Sequence, residues 1–553
     1  MRLPQAAFAV GLGLLSASVA LAEEFALPSV PEVTVVVEPD QRAPSHATAI
    51  AVPPVPEVTV SVEAAPPGPA QARAPAAAEI GLPLPPDAPV ALTVADRLPA
   101  AVAVRLADAD FKLHPRIGKK EREAISAFYA LGGFNPVWVK DGAWTPAAVA
   151  VAERLKRAGE DGLDAADYPV PQLAASPAGD PAEIAKADLK LSAAVVAYAR
   201  DGRGARIEPA RLSRLITPKL ELPAADAVLT ALASSRDTGA ALAAFNPSHP
   251  GYLALKRKLA DIRAGRAPAS AARLENDVVA NMERWRWLPT SLGERHVFVN
   301  VPEFKLTLMD HGRAIHTARV IVGKPDTQTP IFSEMMDHAI VNPSWNVPPS
   351  IFKNEFYSDP AYAASRGYQV VHTKSGVSIR QPPGERNALG FIKFMFPNQH
   401  SVYLHDTPNR NLFSADRRAF SHGCVRLDQP FRFADFVLGS EWTEARLRSL
   451  IGRGERTIKL PQKLPVHIAY FTLVVDDKDE LRPVKDLYAV NNKVRVALGL
   501  PSDGTTAVAE APRPKPKRRV VQAPRPRYVS RAPAVEPAPY YAPSPYTSWW
   551  WTR

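Results

Sequence analysis

The sequence predicts an α+β protein in which a helical domain precedes a β-rich domain, with unstructured segments at both ends. From about residue 107 to residue 286, apolar side chains recur at the spacing of an α-helix, whereas from Arg295 they alternate at the spacing of a β-strand. Of the 57 prolines in the 553-residue chain, 16 lie in residues 23–104 and 10 in residues 511–553. These two stretches are too rich in proline, alanine and charge to bury a core.

The first 22 residues have the pattern of an export signal. Arg2 supplies a positive charge, an apolar run extends from Ala6 to Leu15, and Ala20-Leu21-Ala22 fits a cleavage site of small residues. The apolar run is shorter than the ~20 residues that a bilayer span needs, and no later segment reaches that length. We therefore expect the mature protein to be exported to the periplasm or cell envelope, without a transmembrane span.

The predicted linker, residues 23–104, and the predicted tail, residues 505–553, differ in charge. The linker has 10 acids and 3 bases, and it carries one internal duplication, Val30–Val35 and Val55–Val60. Residues 511–553 have 9 bases and 1 acid, and they include three consecutive tryptophans. We expect no nucleic-acid partner, because an exported protein rarely meets one. Two interpretations of the tail stay open: a solvated spacer, or an electrostatic tether to an anionic envelope surface.

We expect the helical domain to span residues 105–290. Lys119 to Leu131 has helical spacing, Thr145-Pro146 is an N-cap followed by proline in the first turn, and Asp201-Gly202 ends a third helix. Four tryptophans of this region are expected to pack in the core or between domains rather than to bind a ligand: Trp138, Trp144, Trp285 and Trp287.

The β-rich domain is predicted over residues 295–490. Two alternating runs flank the turn Asp310-His311-Gly312, which indicates a hairpin. Later strands are predicted at Ser401 to His405 and at Val466 to Val475. Between them, the irregular, proline-rich stretch from Pro343 to Phe396 is predicted to form a capping segment or lid over a site.

The single cysteine excludes an intramolecular disulfide framework, a CxxC redox pair and a multi-cysteine zinc site. It lies in the run Ser421-His422-Gly423-Cys424-Val425-Arg426-Leu427, 19 residues after His405. A thiol becomes a strong nucleophile when a nearby histidine takes its proton. Glycine before it lets the backbone approach a ligand, and Arg426 offers a planar fork for a carboxylate.

Two other interpretations of these residues stay open on chemistry alone. A lone cysteine is often a small buried hydrophobe. His405, His422 and Cys424 could instead hold a metal ion, although their spacing matches known zinc sites poorly.

This pattern resembles the signature of the L,D-transpeptidases, which have a YkuD-type catalytic domain: a histidine, fifteen to twenty residues, and then Ser/Thr-His-Gly-Cys followed by a polar or basic residue two positions on. Surrounding segments resemble the YcbB-like branch of that family, and the helical region resembles its scaffold domain. The resembling segments of the β-rich region and of the helix before it are Val320–Lys324, Asn342–Pro349, Leu404–Pro408 and Asn281–Trp287. A peptidoglycan-binding helical module of that branch has no convincing counterpart between residues 206 and 272.

The resemblance implies roles for the motif residues. Cys424 would be the nucleophile and His405 its base, and the backbone N–H groups of Gly423 and Cys424 would form the oxyanion hole. Ser421 and His422 would shape the turn.

The resemblance also implies a substrate and a reaction. The residues implied on the substrate side are Arg426, for a carboxylate, together with Trp345 and Tyr403. The reaction would be acyl transfer between peptidoglycan stem peptides that releases D-alanine and forms a 3→3 cross-link, with no metal and no organic cofactor. Three alternatives stay open: a cysteine hydrolase with water as acceptor, attachment of another protein through its amine, and a non-catalytic wall-tethering protein.

Overall fold

The computed structural model describes residues 93–172, 180–373 and 376–504. The predicted signal peptide, most of the predicted linker and the predicted tail lie outside these residues, and so does the tether hypothesis for the tail. The fold is α+β, as predicted, with helices up to Trp285 and a β-rich region from Arg295 onward. Among the described residues, no helix is both long and apolar enough to cross a bilayer.

The helical region is built from α-helices, two short strands and 3₁₀ turns at Ala158–Asp161 and Ala165–Asp167. The predicted helix from Lys119 to Leu131 is found with the same bounds. The helices and strands of this region are α1 (Val94–Ala107), α2 (Lys119–Leu131), β1 (Val139–Lys140), β2 (Ala143–Trp144), α3 (Pro146–Lys156), α4 (Pro181–Asp201), α5 (Pro209–Leu212), α6 (Ala225–Ala233), α7 (Thr238–Ala243), α8 (Pro250–Arg263), α9 (Ala269–Ala272) and α10 (Glu275–Trp285).

Helix α4 forms the centre of the helical core, and α1, α3 and α6 pack around it. Its side chains are buried on nearly every face, which is possible because most of them are alanine, valine or leucine. Trp138 is buried against α4 and donates a hydrogen bond from Nε1 to Ser192 Oγ at 2.8 Å. Trp138 therefore packs in the core, in agreement with the interpretation from the sequence.

Helix α1 corrects the boundary of the predicted linker, which was placed at residue 104. The helix begins at Val94, where Thr93 and Asp96 form a reciprocal capping box. Proline at position 99 removes one backbone donor inside the helix. The helix is held nevertheless because one of its faces is buried in the helical core through Leu98, Val102 and Leu106.

The β-rich region contains two further sheets besides the main one, together with helices α11 to α15. Its elements are β3 (Arg295–Asn300), β4 (Lys305–Asp310), β5 (Arg313–Gly323), β6 (Phe332–Val341), β7 (Trp345–Asn346), α11 (Pro349–Glu355), α12 (Pro360–Ser365), β8 (Gln369–Thr373), β9 (Gly376–Gln381), β10 (Ile392–Met395), β11 (Leu404–His405), β12 (Ala419–Ser421), β13 (Val425–Leu427), α13 (Pro430–Val437), α14 (Glu444–Ser449), β14 (Arg456–Ala469), β15 (Leu473–Val475), β16 (Leu481–Pro483) and α15 (Val490–Ala497).

The main sheet has nine strands in the order β12-β5-β13-β11-β10-β6-β14-β3-β4, and β4 also pairs with β5. This extra pairing closes the sheet on itself, because β5 bonds β4 along its first part and β13 near its end. Alternate residues such as Val297 and Val299 fill the interior, as the period of two predicts. The predicted strand at 401–405 is shorter than expected and contains only Leu404 and His405.

The proline-rich stretch after Pro343 forms a capping subdomain of its own. Strands β7, β9 and β8 make a three-stranded antiparallel sheet, and α11 and α12 pack on it. Its small core contains Val347, Ile351, Phe356, Ala363 and Ile379. A separate folded unit is therefore present where the sequence predicts a capping segment.

The last described helix packs against the helical region. Helix α15 packs on α10, and Arg284 of α10 donates hydrogen bonds to Asn491 at 2.8 Å and to Thr472 at 3.0 Å. Trp285 stacks on Phe471 with ring centroids 4.4 Å apart. The helical and β-rich regions therefore share a packed interface, in which Trp285 takes part as the sequence predicts.

Candidate active site

The candidate base lies on β11, and the candidate nucleophile directly precedes the neighbouring strand β13. Strand β11 pairs with β13 in parallel, with Leu404 opposite Val425 and His405 opposite Arg426. Leu404 and Val425 are fully buried in the interior of the main sheet. Because side chains alternate between the faces of a strand, His405 and Arg426 project to the opposite face. Tyr403 and Cys424, two positions earlier on each chain segment, adjoin them there: the rings of Tyr403 and His405 are 5.7 Å apart.

The turn that carries Cys424 is held by side-chain hydrogen bonds. Ser421 Oγ donates to the Cys424 carbonyl at 2.5 Å and accepts from the Gly423 N–H at 3.1 Å. Thr329 Oγ1 donates to the Gly423 carbonyl at 2.9 Å. Gly423 has φ +117°, a backbone conformation that side chains with a Cβ rarely adopt. The glycine of the motif is therefore required by the turn itself.

One of the two N–H groups of the oxyanion hole inferred from the resemblance has an acceptor within the turn. The Gly423 N–H donates to Ser421 Oγ, so in this structure it is not available to a substrate oxygen. Among the described residues, the Cys424 N–H has no acceptor. The sequence could not show this, because the choice depends on where the Ser421 hydroxyl lies. One backbone donor, not two, is open at the turn.

Cys424 is a half-buried thiol in this structure. Its Sγ lies 3.7 Å from the Ser401 carbonyl. Burial raises the pKa of the thiol, while hydrogen bonds from Tyr403 and the charges of Arg426 and Lys393 act in the opposite direction. Since burial dominates, the resting side chain at neutral pH is a protonated thiol, which needs a base before it can attack.

His405 has the protonation state of a base. Its ring is 4% exposed, and Nδ1 lies 2.5 Å from the Asp406 carbonyl. A carbonyl only accepts hydrogen bonds, so Nδ1 carries the proton and Nε2 is left as the acceptor nitrogen. Burial, followed by the charge of Arg426, lowers the pKa of His405 to about 3. The imidazole is therefore neutral over the physiological range.

The Asp406 carboxylate does not orient His405. It accepts hydrogen bonds from the Phe391 N–H at 2.9 Å and from Arg410 at 2.8 Å. Gly390 is required here, because a Cβ at that position would lie 2.4 Å from the Asp406 carboxyl group. The backbone carbonyl of Asp406 holds the imidazole, while its side chain anchors the neighbouring loop.

Two basic side chains, Arg426 and Lys393, act on the thiol. Among the described residues, no hydrogen bond or salt bridge to the Arg426 guanidinium is found, and its Nε is buried without a partner. Lys393 lies opposite His405 in the pairing of β10 with β11, and its Nζ is 5.5 Å from the centre of the Tyr403 ring. Burial lowers the pKa of both groups. The sequence motif did not indicate Lys393, because the pairing of β10 with β11 brings it to the site from another part of the chain.

The capping subdomain contacts the motif at two points. The Trp345 side chain hydrogen-bonds Tyr403, whose hydroxyl also interacts with Cys424; burial, the largest influence, raises the pKa of Tyr403 well above its usual value. The second contact joins His422 Nε2 to Glu355 Oε1 at 3.0 Å. Glu355 was not singled out from the sequence, because nothing in its local pattern shows that α11 ends against the cysteine turn.

The described part of the chain contains no group of three or more His, Cys, Asp or Glu side chains arranged to hold a metal ion. His405 and His422 have other partners, the Asp406 carbonyl and Glu355.

Models of known protein domains match both the helical and the β-rich region of the chain. Residues 294–468 match the model of the L,D-transpeptidase catalytic domain, and residues 123–259 match the model of the Scaffold domain. The chain carries an L,D-transpeptidase catalytic domain. That domain is the closed sheet with its capping subdomain, and it contains the whole run from His405 to Arg426. The recognition made from the sequence motif is confirmed at this level.

A curated relative is also similar to part of this chain. The chain is 30% identical over 241 residues to a Haemophilus influenzae protein named "Putative L,D-transpeptidase". The aligned part covers 39% of this chain and 48% of the relative, so the chain spans about half the relative's length.

Solved structures of L,D-transpeptidases are also similar in part. A Mycobacterium smegmatis enzyme has 14% identity and a TM-score of 0.18, covering 32% of this chain and 58% of that one. A mutant Enterococcus faecium enzyme has 12% identity and a TM-score of 0.16, covering 33% of this chain and 52% of that one. TM-scores this low support no conclusion about the site.

Proposed function

We propose that the protein is a peptidoglycan L,D-transpeptidase in which Cys424 is the nucleophile. The donor is a tetrapeptide stem, and the bond that breaks joins its third residue to the terminal D-alanine. The acceptor is the side-chain amine of a second stem, so that the product is a 3→3 cross-link. The observation that carries this proposal is a neutral His405 on the strand beside Cys424, in a domain of the L,D-transpeptidase family.

Acylation begins with proton transfer. His405 accepts the proton of the Cys424 thiol on Nε2 as Sγ attacks the stem carbonyl carbon. The carbonyl oxygen becomes an oxyanion, and the N–H of Cys424 and the hydroxyl of Tyr403 would stabilise it. The tetrahedral intermediate collapses as the bond to nitrogen breaks. His405 returns the proton to that nitrogen, and D-alanine leaves.

Transfer reverses these roles. The amine of the second stem attacks the thioester carbonyl, the new carbon–nitrogen bond forms, and the carbon–sulfur bond breaks. His405 takes a proton from the attacking amine and returns one to Cys424 Sγ, which restores the starting state. Water in place of the amine would give a shortened stem and no cross-link, so the products distinguish a transferase from a hydrolase.

Arg426 and Lys393 would bind the donor. A stem that ends in diaminopimelate and D-alanine carries carboxylates close to the scissile bond. The two unpaired cations on the face of Cys424 match those charges, and a carboxylate would supply the partners that Arg426 lacks. Tyr403 and Trp345 would position the same stem at the edge of the capping subdomain.

We place this reaction outside the cytoplasm, in the periplasm or cell envelope. The support is the leader-like pattern of the first 22 residues. Peptidoglycan stems are the expected partners, and the chemistry requires no cofactor.

The first prediction tests the nucleophile. Purified protein incubated with tetrapeptide muropeptides should yield 3→3 dimers and free D-alanine by mass spectrometry. A carbapenem, which acylates the cysteine of this family, should add its mass to the protein. Cys424→Ser should lose both the dimers and the adduct, because this is the only thiol in the chain. An adduct that persists in Cys424→Ser, or tripeptide products without dimers in the wild type, would contradict the proposal.

A further inference from the structure

The charges around Cys424 are predominantly positive. Arg426 and Lys393 act on the thiol, and Lys324 and Arg426 act on the carboxylate of Glu355. A second carboxylate, Glu455, lies near Lys393, but it accepts the Ser344 N–H at 2.6 Å. Such a surface favours the anionic donor, and it repels an amine that arrives as an ammonium ion.

Glu355 is the carboxylate that faces the cysteine turn. Its Oε1 lies 3.0 Å from Nε2 of His422, two residues before Cys424, and its side chain is 49% exposed. The hydrogen bond from His422, with smaller effects from Lys324 and Arg426, lowers the pKa of Glu355. The group is therefore ionised at neutral pH and open to solvent on one side.

The position of Glu355 is unfavourable for the stability of the folded chain. It is the last residue of α11, where the helix dipole disfavours a negative charge. Two residues further on, Tyr357 and Ser358 both adopt φ +55°, which is costly for residues with a Cβ. Residues that are unfavourable for folding are often retained for function, so this end of α11 is a candidate for binding.

We propose that Glu355, oriented by His422, is the specificity-determining residue that binds the ammonium group of the acceptor stem. This inference rests on the proposed function. It assigns a residue to the acceptor stem, whereas Arg426 and Lys393 are assigned to the donor stem. The side-chain amine of diaminopimelate resembles that of lysine, whose pKa is about 10.4, so it is cationic at neutral pH. Glu355 would hold the ammonium beside the thioester, where it loses one proton to solvent water before it attacks as the free amine. His405 takes the second proton as the carbon–nitrogen bond forms and passes it to Cys424 Sγ. The Glu355 carboxylate has acceptor capacity beyond its bond with His422.

The experiment measures how the acyl-enzyme partitions among nucleophiles. Protein acylated by a tetrapeptide stem, verified by intact mass, is offered an amine-bearing acceptor stem, hydroxylamine (uncharged at neutral pH) or water alone. Glu355→Gln removes the charge with little change of shape, and Glu355→Asp keeps it. Glu385→Gln is the matched control, because Glu385 is an exposed carboxylate in the segment that follows β9.

We expect the ratio of dimer to hydroxamate to fall about two- to fivefold in Glu355→Gln, which is the usual value of an exposed ion pair. Glu355→Asp should recover part of the loss, Glu385→Gln should not change the ratio, and added salt should reduce the preference of the wild type. An unchanged ratio in Glu355→Gln, or an equal loss with all three nucleophiles, would overturn the inference. Failure of the wild type to form an acyl-enzyme would instead refute the proposed function, before any acceptor is added.

Discussion

A buried carboxylate of the helical region and two half-buried cations of the catalytic domain differ in their partners. In the helical region, Asp161 is fully buried and accepts hydrogen bonds from Arg154 at 2.8 Å, Lys256 at 2.5 Å and Tyr198 at 2.6 Å. In the catalytic domain, Arg426 and Lys393 adjoin the thiol, and neither has a hydrogen bond or ion pair with another described residue.

Under the proposed function, this difference would separate a charge kept for structure from charges that bind the donor stem. A buried ion must be paired, or its desolvation reduces the stability of the fold. Asp161 satisfies that requirement within the chain and joins the 3₁₀ turn to α3, α4 and α8. Arg426 and Lys393 form no such ion pair among the described residues, although Glu355 acts on Arg426 and Glu455 acts on Lys393.

The largest expected effect comes from the base. His405→Ala should keep the fold and reduce the rate of acylation by about 10²–10⁴-fold, the usual contribution of a positioned acid and base. Carbapenem acylation followed by intact mass over time measures this rate. His422→Ala is the comparison variant, since His422 contacts Glu355 and not the base. It should lose less, and equal losses at both positions would contradict the roles assigned to them.

The sequence located what lies in one contiguous segment and missed what the fold brings from elsewhere. The run from Ser421 to Arg426 and the upstream His405 carry their chemistry in the order of residues, so both were found. Lys393 and Glu355 reach the site from β10 and α11, and their neighbours in sequence do not show this. The sequence also did not show that the Gly423 N–H donates to the Ser421 hydroxyl two residues away.

As with the site, local features of the fold were predicted from the sequence and long-range features were not. The change of period at Arg295 located the boundary between helices and strands, because hydrophobic periodicity follows directly from burial. Helix α1 was missed because proline content outweighed its capping box, although Thr93 and Asp96 were readable signals of a helix start. Closure of the sheet through β4 and β5 depends on contacts along the long strand β5, which no local pattern encodes.

Two substitutions test the difference between the paired Asp161 and the unpaired Arg426. Asp161→Ala should lower the free energy of unfolding by about 3–5 kcal/mol, because it leaves Arg154 and Lys256 without their buried partner. Arg426→Met should leave stability unchanged or higher, and should slow acylation by the tetrapeptide donor by about 10- to 100-fold through loss of a charged hydrogen bond. Chemical denaturation and acylation rates of both variants provide the measurements. A destabilised Arg426→Met would mean that the guanidinium is structural after all.

The smallest expected effect is a response to pH through His405. The acylation rate and the stability of the fold should respond differently. The pKa of His405 is lowered to about 3, so the folded protein keeps a neutral imidazole well below pH 6.5. Between pH 7 and pH 5, acylation should therefore not show the decline that an ordinary histidine base would produce. A midpoint near pH 6.5 in the acylation rate would contradict this assignment.

Stability should change over the same range even though activity does not. In the unfolded chain, His405 returns to its ordinary pKa near 6.5 and binds a proton as the pH falls, while the buried ring binds none until about pH 3. The unfolded state then holds more protons, so the free energy of unfolding decreases from pH 6.5 downward and its full value is present only above that pH. For one such group the loss between pH 7 and pH 5 is ~2 kcal/mol.

Buried His467, with a pKa lowered to about 4, adds to the loss in the wild type and in any His405 variant alike. Denaturation of wild type and His405→Ala at both pH values isolates the share of His405: the variant should lose ~2 kcal/mol less, and equal losses would show that the ring is not held neutral by the fold.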